Sequence, residues 1–333
     1  MYMPTQQPRR RRTGIGAFVV LIIGLALIAI LFWQRQNLLD WWALRGYTPS
    51  SAITTLADET TLTPQARHVF YVNKPQVLGS SAFNSTCPNH GGEQTIILGC
   101  YHGNQHGIFL YNVTDERLNG VMQVTAAHEL LHAEYDRLSG SERKKVDGQL
   151  QDFYAHHLTD ERIKSTIEAY KQSEPDELVN EMHSIFGTEV RDLTPDLEAY
   201  YQRYFQDRSK VVGYAEAYQG EFTNRQQQVT AYDEQLAVMR PRITEQQQSL
   251  STESTRLQQE RSDIDAMNPA DNRAAYNARV SDFNQHVASY NQAVSDLKAL
   301  IAQYNDIVDK RNTIALETQE LSEAIDSHYL ESL

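Results

Sequence analysis

The sequence predicts an α+β domain preceded by one transmembrane helix and followed by an all-α coiled-coil hairpin. Three observations lead there. An uncharged apolar run occupies Ile15 to Trp33; strand-like runs and then helical patterns fill residues 61–220; an aliphatic repeat of seven fills residues 221–333. The 333 residues leave room for one sizeable core and more besides. Acidic residues number 43 against 30 basic ones, and the one dense basic run, Arg9 to Arg12, abuts the apolar segment. Nucleic acid is therefore not an expected partner.

Residues 1–12 form a basic tail. Residues 13–33 would reach about 30 Å as a helix, the thickness of a bilayer's hydrocarbon core. A cleaved signal would carry only about 7–15 apolar residues and end at small ones, whereas this run exits into Trp33-Gln34-Arg35-Gln36. An uncleaved anchor is expected. The arginines put the tail in the cytoplasm and everything after about residue 34 outside, with Trp33, Trp41 and Trp42 at the outer interface. The expected localisation is thus the cell membrane, single-pass, with the main domain extracytoplasmic. Residues 34–60 read as a juxtamembrane stalk with some helix. The two cysteines, Cys87 and Cys100, flank the turn-rich Pro88 to Gly92, and an external compartment favours a disulfide between them.

Strand-like runs follow at 68–72, 94–98 and 107–113, the last two joined by the glycine-bearing Tyr101 to His106 as an antiparallel pair. A helix over about 118–137 comes next, then helical patterns at 141–157, from 159 onward, 175–187, 197–206 and 211–218. Beyond residue 220 the period becomes seven. In the second arm Tyr276, Phe283, Tyr290, Leu297 and Tyr304 form one seam position, and Val280, Val287, Val294, Ile301 and Val308 the other. In the first arm Val229, Leu236, Ile243, Leu250, Leu257 and Ile264 recur at the same interval, with Pro241 expected to kink or break the helix. Residues 266–272 supply a stop and a start. An antiparallel hairpin of arms about 60 Å long is the simplest arrangement, with a protein partner or self-association through the same seams as the competing one.

The chemistry concentrates in His128-Glu129-Leu130-Leu131-His132. Histidines four apart on a helix point to the same side and can share one metal ion, while Glu129 projects from the neighbouring face toward an open coordination place. Two neutral nitrogens, an open position and a carboxylate base are what zinc-dependent peptide hydrolysis needs. A third ligand must come from elsewhere. Glu177 and Glu181 are candidates one turn apart, and the apolar stripe of their helix centres near Met182. Glu181 lies about 100° from that centre and Glu177 about 140°, so Glu181 borders the buried face and is preferred. Glu177 is then a supporting or solvated group. His183, Tyr200, Tyr201 and Tyr204 are candidate oxyanion stabilisers, and His156-His157 reads as an exposed helix end.

Val124 to Ala133 resembles the active-site helix of gluzincin metallopeptidases, the thermolysin-like enzymes among them, and Val179 to Thr188 is similar to their glutamate helix. The resemblance implies a zincin-like fold for 61–220, one catalytic Zn2+ held by His128, His132 and Glu181, and Glu129 as general base. It covers only these two segments. The Asp that orients the first histidine in that family is Ile185 here, which leaves Glu177 and Ser184 as substitutes. The expected protein is a membrane-anchored zinc metallopeptidase acting on a protein or peptide, with Glu129 taking the proton of a zinc-activated water. The alternative is a surface interaction protein that works through its coiled coil and carries a degenerate peptidase domain.

Overall fold

The computed structural model describes residues 34–88 and 96–329, with Phe18, Val20 and Leu21. It divides into two compact units, Met1–Asn112 with Met122–Gly213, and Val113–Val121 with Tyr214–Leu333. The span expected at 13–33 lies outside the described residues, those three apart. Among the described residues no helix is long and apolar enough to cross a membrane. Anchoring through an N-terminal helix as the membrane partner, and the single-pass cell-membrane localisation drawn from it, are therefore not supported.

The first unit opens with α1 (Arg35–Leu44), α2 (Ser51–Glu59) and α3 (Pro64–Val72). The stretch read as a stalk is therefore helical, and its Ile53, Leu56 and Ala57 enter the core. Helix α3 replaces the first expected strand. Its run of Val, Phe and Tyr suits either state, but Thr63 caps the Ala66 N–H and Pro64 opens the first turn. Ala66, Val69 and Phe70 then fall on one buried stripe. Strand β1 (Gln76–Leu78) and α4 (Ser80–Thr86) follow, then β2 (Gly99–His102) and β3 (Gly107–Tyr111). The sheet order is β1-β3-β2, parallel between β1 and β3 and antiparallel between β2 and β3. The expected strand at 94–98 gives way to β2. Residues 94 and 95 lie outside the described set, and Tyr101 and His102, expected in the loop, pair instead with Ile108 and Gly107. Asn104 and Gln105, both at positive φ, make the tight reversal.

Helices dominate from there: α5 (Val121–Asp136), α6 (Gly140–His156), α7 (Glu161–Ser173), α8 (Leu178–Glu189) and α9 (Pro195–Tyr201). The described residues are 75% helical, with three short strands among them, so the expected α+β zincin-like domain is corrected to a mainly helical one. Short apolar runs do not separate strand from buried helix, and here capping and the helical stripe decided. Helix α5 lies at the centre of the core, with Ala126, Ala127, Leu130, Leu131 and Ala133 buried. Helix α8 approaches it closely because Gly187 has no side chain. A Cβ there would overlap Leu131 Cδ1 and come within 2.7 Å of Tyr201 Cε1.

The second unit is built on α10 (Arg208–Asp265), from Tyr214 onward, and α11 (Arg273–Ile325). The arms are antiparallel: Arg225 pairs with Glu317 at 3.4 Å, Asp233 with Arg311 at 3.0 Å and Glu260 with His286 at 2.9 Å. Asn272 caps α11 through the Ala275 N–H. Helix α10 continues through Pro241 rather than breaking there. A proline removes one backbone hydrogen bond, and an arm held along its length by a partner helix tolerates that loss.

Candidate metal centre

Helix α5 carries His128 and His132 one turn apart, with ring centroids 4.8 Å from each other. Helix α8 supplies Glu181 from its first turn. The carboxylate reaches both imidazoles, Oε2 lying 3.4 Å from His128 Nε2 and Oε1 3.4 Å from His132 Nε2. Together the three side chains form a group that could hold a metal ion.

The donor set fits zinc. Bonds of about 2.0–2.1 Å to a tetrahedral ion place neighbouring donor atoms about 3.3–3.4 Å apart, which is the separation found on both sides of Glu181. Glu181 Oε2 is buried without a hydrogen bond, so the nearby ring nitrogen faces it at ion-pair distance and does not satisfy it. Burial would raise the Glu181 carboxyl, but the two imidazoles outweigh it and hold the group below its ordinary range.

Supporting contacts fix which nitrogen is free. Asn180 Nδ2 donates to Glu177 Oε2 at 3.1 Å, and a carboxylate only accepts, so the amide must turn its Oδ1 toward His132 Nδ1 at 3.0 Å. In the neutral ring Nδ1 therefore carries the proton and Nε2, the atom facing Glu181, presents its lone pair. Glu177 thus acts on Asn180 and is not among the convergent donors. The other proposed substitute, Ser184, is buried with no hydrogen bond to its Oγ, and Ile185 lies in the core.

Glu129 sits beside this group and is almost fully buried. Strand β2 closes over it. A Cβ on Gly99 would fall 2.8 Å from Glu129 Cγ and Oε1, and the Tyr101 backbone amide lies near enough to favour the carboxylate's charge. Burial pushes the Glu129 carboxyl up to about 7, and the Glu181 charge adds to this, against the pull of His132 and the Tyr101 amide. A carboxyl near 7 is well matched to taking and returning a proton.

The candidate oxyanion groups gather elsewhere in the unit. His183 is fully buried among the rings of Tyr135, Tyr200, Tyr201 and Tyr204. Its Nε2 meets the Tyr200 hydroxyl at 2.9 Å, and Tyr204 donates to that same hydroxyl. Burial pushes the His183 ring well below the ordinary histidine range. Tyr201 donates to the His183 carbonyl. None of the four belongs to the convergent group. His156 and His157 end α6, exposed, beside Asp152. Cys87 and Cys100 form a disulfide, so their sulfurs are not free to join nearby His102 on a metal.

The contributions of Asn180, Gly99 and Tyr101 were not foreseen from the sequence. Asn180 had a local signal, since it precedes the ligand glutamate and lies one turn after Glu177. The two β2 residues had none, because only tertiary packing brings them to Glu129. In comparisons with known proteins, no family model, curated protein or solved structure matches this chain.

Proposed function

We propose that the first unit is a zinc-dependent metallopeptidase of gluzincin-type ligation, with His128, His132 and Glu181 holding the ion and Glu129 as general base. The observation that carries this is the convergence of two imidazole nitrogens and one carboxylate at the spacing of zinc ligands, with a buried carboxyl of near-neutral pKa alongside. When bound, zinc would supply Lewis acidity, easing deprotonation of water and polarising the scissile carbonyl. Glu129 takes the proton of the attacking water and later returns it to the leaving amine. Asn180 keeps His132 in the tautomer that can ligate, and Glu177 keeps Asn180 oriented. Gly99 lets β2 lie directly against the Glu129 side chain, and the Tyr101 amide favours its charge. The substrate class is a peptide or protein.

Metal analysis and a peptide-library cleavage assay on the full chain test the reading. Wild type should carry one zinc and cleave. Glu129→Gln should keep the zinc and lose about 100- to 10,000-fold in rate, the usual worth of a general base. Glu181→Ala should lose both. Zinc retained by Glu181→Ala, or cleavage undiminished in Glu129→Gln, would refute the assignment; the second result would leave the ion a role in folding alone.

A further inference from the structure

Strand β2 is an outer strand of its sheet and only four residues long, paired to β3. An edge of that length is weakly held by its ladder alone. Tyr111 N–H donates to Leu98 O, and Ile108 N–H turns away to Asn73 O, so in the register Tyr101↔Ile108 the Tyr101 amide points to the open edge. From that side the amide favours the charge of the Glu129 carboxylate. Gly99 touches the same side chain, and its lack of a Cβ permits the approach: an added carbon would lie 2.6 Å from Thr125 Cγ2 and 2.8 Å from Glu129. Cys100 stands between these two residues and, by the alternation of a strand, faces the other side of the sheet. There it is bonded to Cys87, which is buried at the end of α4. Helix α4 is itself anchored, for Phe83 is fully buried and packs on Tyr111 of β3, ring centroids 5.7 Å apart.

We propose that the Cys87–Cys100 bond fastens β2 onto the general base, making Gly99, Cys100 and Tyr101 positioning residues for Glu129. The inference rests on the peptidase reading of Glu129. It separates base positioning from metal binding, because the three metal donors come from α5 and α8 and none from β2. Loss of the bond should loosen the strand and leave the ion in place. A misplacement of the base of about 1 Å is enough to cost on the order of 100-fold in rate.

The experiment uses the full chain with both cysteines replaced, Cys87→Ser with Cys100→Ser, and separately Gly99→Ala, which keeps the disulfide but forces a methyl against Glu129. For the double variant we expect zinc at the wild-type stoichiometry and affinity, kcat lower by about 10- to 100-fold and KM within about twofold. Hydrogen exchange at the His102 amide, which this register turns toward β3, should accelerate by about tenfold or more while Leu130 and Leu131 stay protected. Gly99→Ala should lower kcat in the same way, which keeps the idea testable if the double variant does not fold. Unchanged kcat and unchanged His102 exchange in the double variant would overturn the fastening, as would a neutral Gly99→Ala. A wild type without Glu129-dependent cleavage would instead sink the peptidase reading, and His102 exchange would still decide whether the bond holds the strand.

Discussion

Asn180 supports the candidate metal site without being one of its three donors. Its amide is clamped between an acceptor-only carboxylate at 3.1 Å and the His132 ring at 3.0 Å, so one rotation state of the amide sets one tautomer of the ligand. Replacing Asn180 with Ala leaves His132 free to place its proton on either nitrogen and to swing out of line. Zinc affinity should fall by about 10- to 100-fold, the usual effect of removing such a support. Glu177→Gln should do less, because a side-chain amide can still accept from Asn180 Nδ2. Competition titration against a chelator measures both; equal affinity in Asn180→Ala and wild type would remove Asn180 from the site.

At the scale of elements, the first unit is tied together by one carboxylate. Asp40 of α1 accepts from Arg137, just beyond α5, through two nitrogens at 2.7 and 2.9 Å, from Gln105 in the β2–β3 turn at 3.1 Å, and from Gln36 at 2.9 Å. His68 of α3 lies 3.1 Å away. Burial opposes its charge, but Arg137 and the other donors prevail and hold the carboxyl below its ordinary value of 3.8. The folded state therefore binds fewer protons at this position than the unfolded chain. The resulting stability is complete above the unfolded value and is lost as pH falls through the folded one. Asp40→Asn should cost about 2–3 kcal/mol near pH 7, because the half-buried Arg137 loses its partner. The gap from wild type should close below about pH 4. Urea-unfolding curves across that range provide the check, and a gap that stayed constant into acid would assign the stability to packing. The same elements mark what a sequence can disclose. Spacing within a helix decides which side chains share a side, so the pairing of His128 with His132 and the preference for Glu181 over Glu177 were legible, whereas the meeting of their two helices was expected only from the family resemblance. The pairing of Cys87 with Cys100 was legible too. The helical state of 68–72 was less so, because its Val, Phe and Tyr suit both states and the Thr63-Pro64 cap that decides between them lies upstream of the run. Contacts such as Gly99 on Glu129 join segments whose adjacency no local pattern announces.

For the molecule as a whole, the heptad seams left open whether the two arms pair with each other or with another copy. Within the second unit they pair with each other, through inter-arm bridges such as Asp233 to Arg311 and Glu260 to His286. The connection explains why. The turn between Asp265 and Arg273 is short, with Asn268 Oδ1 accepting from Ala270 N–H and Asn272 capping the return helix. A tether that short holds the second arm at an effective concentration of about millimolar, far above the micromolar concentration of a second chain. The intramolecular pair should win by roughly a thousandfold. Pairing within one chain has no mass-action term, whereas an interface between copies stabilises more as concentration rises. The helical melting transition of the full chain, followed by circular dichroism from about 1 to 100 µM, should therefore keep one midpoint. A midpoint that climbs steadily with concentration would show that folded stability depends on association between copies, against a self-contained hairpin.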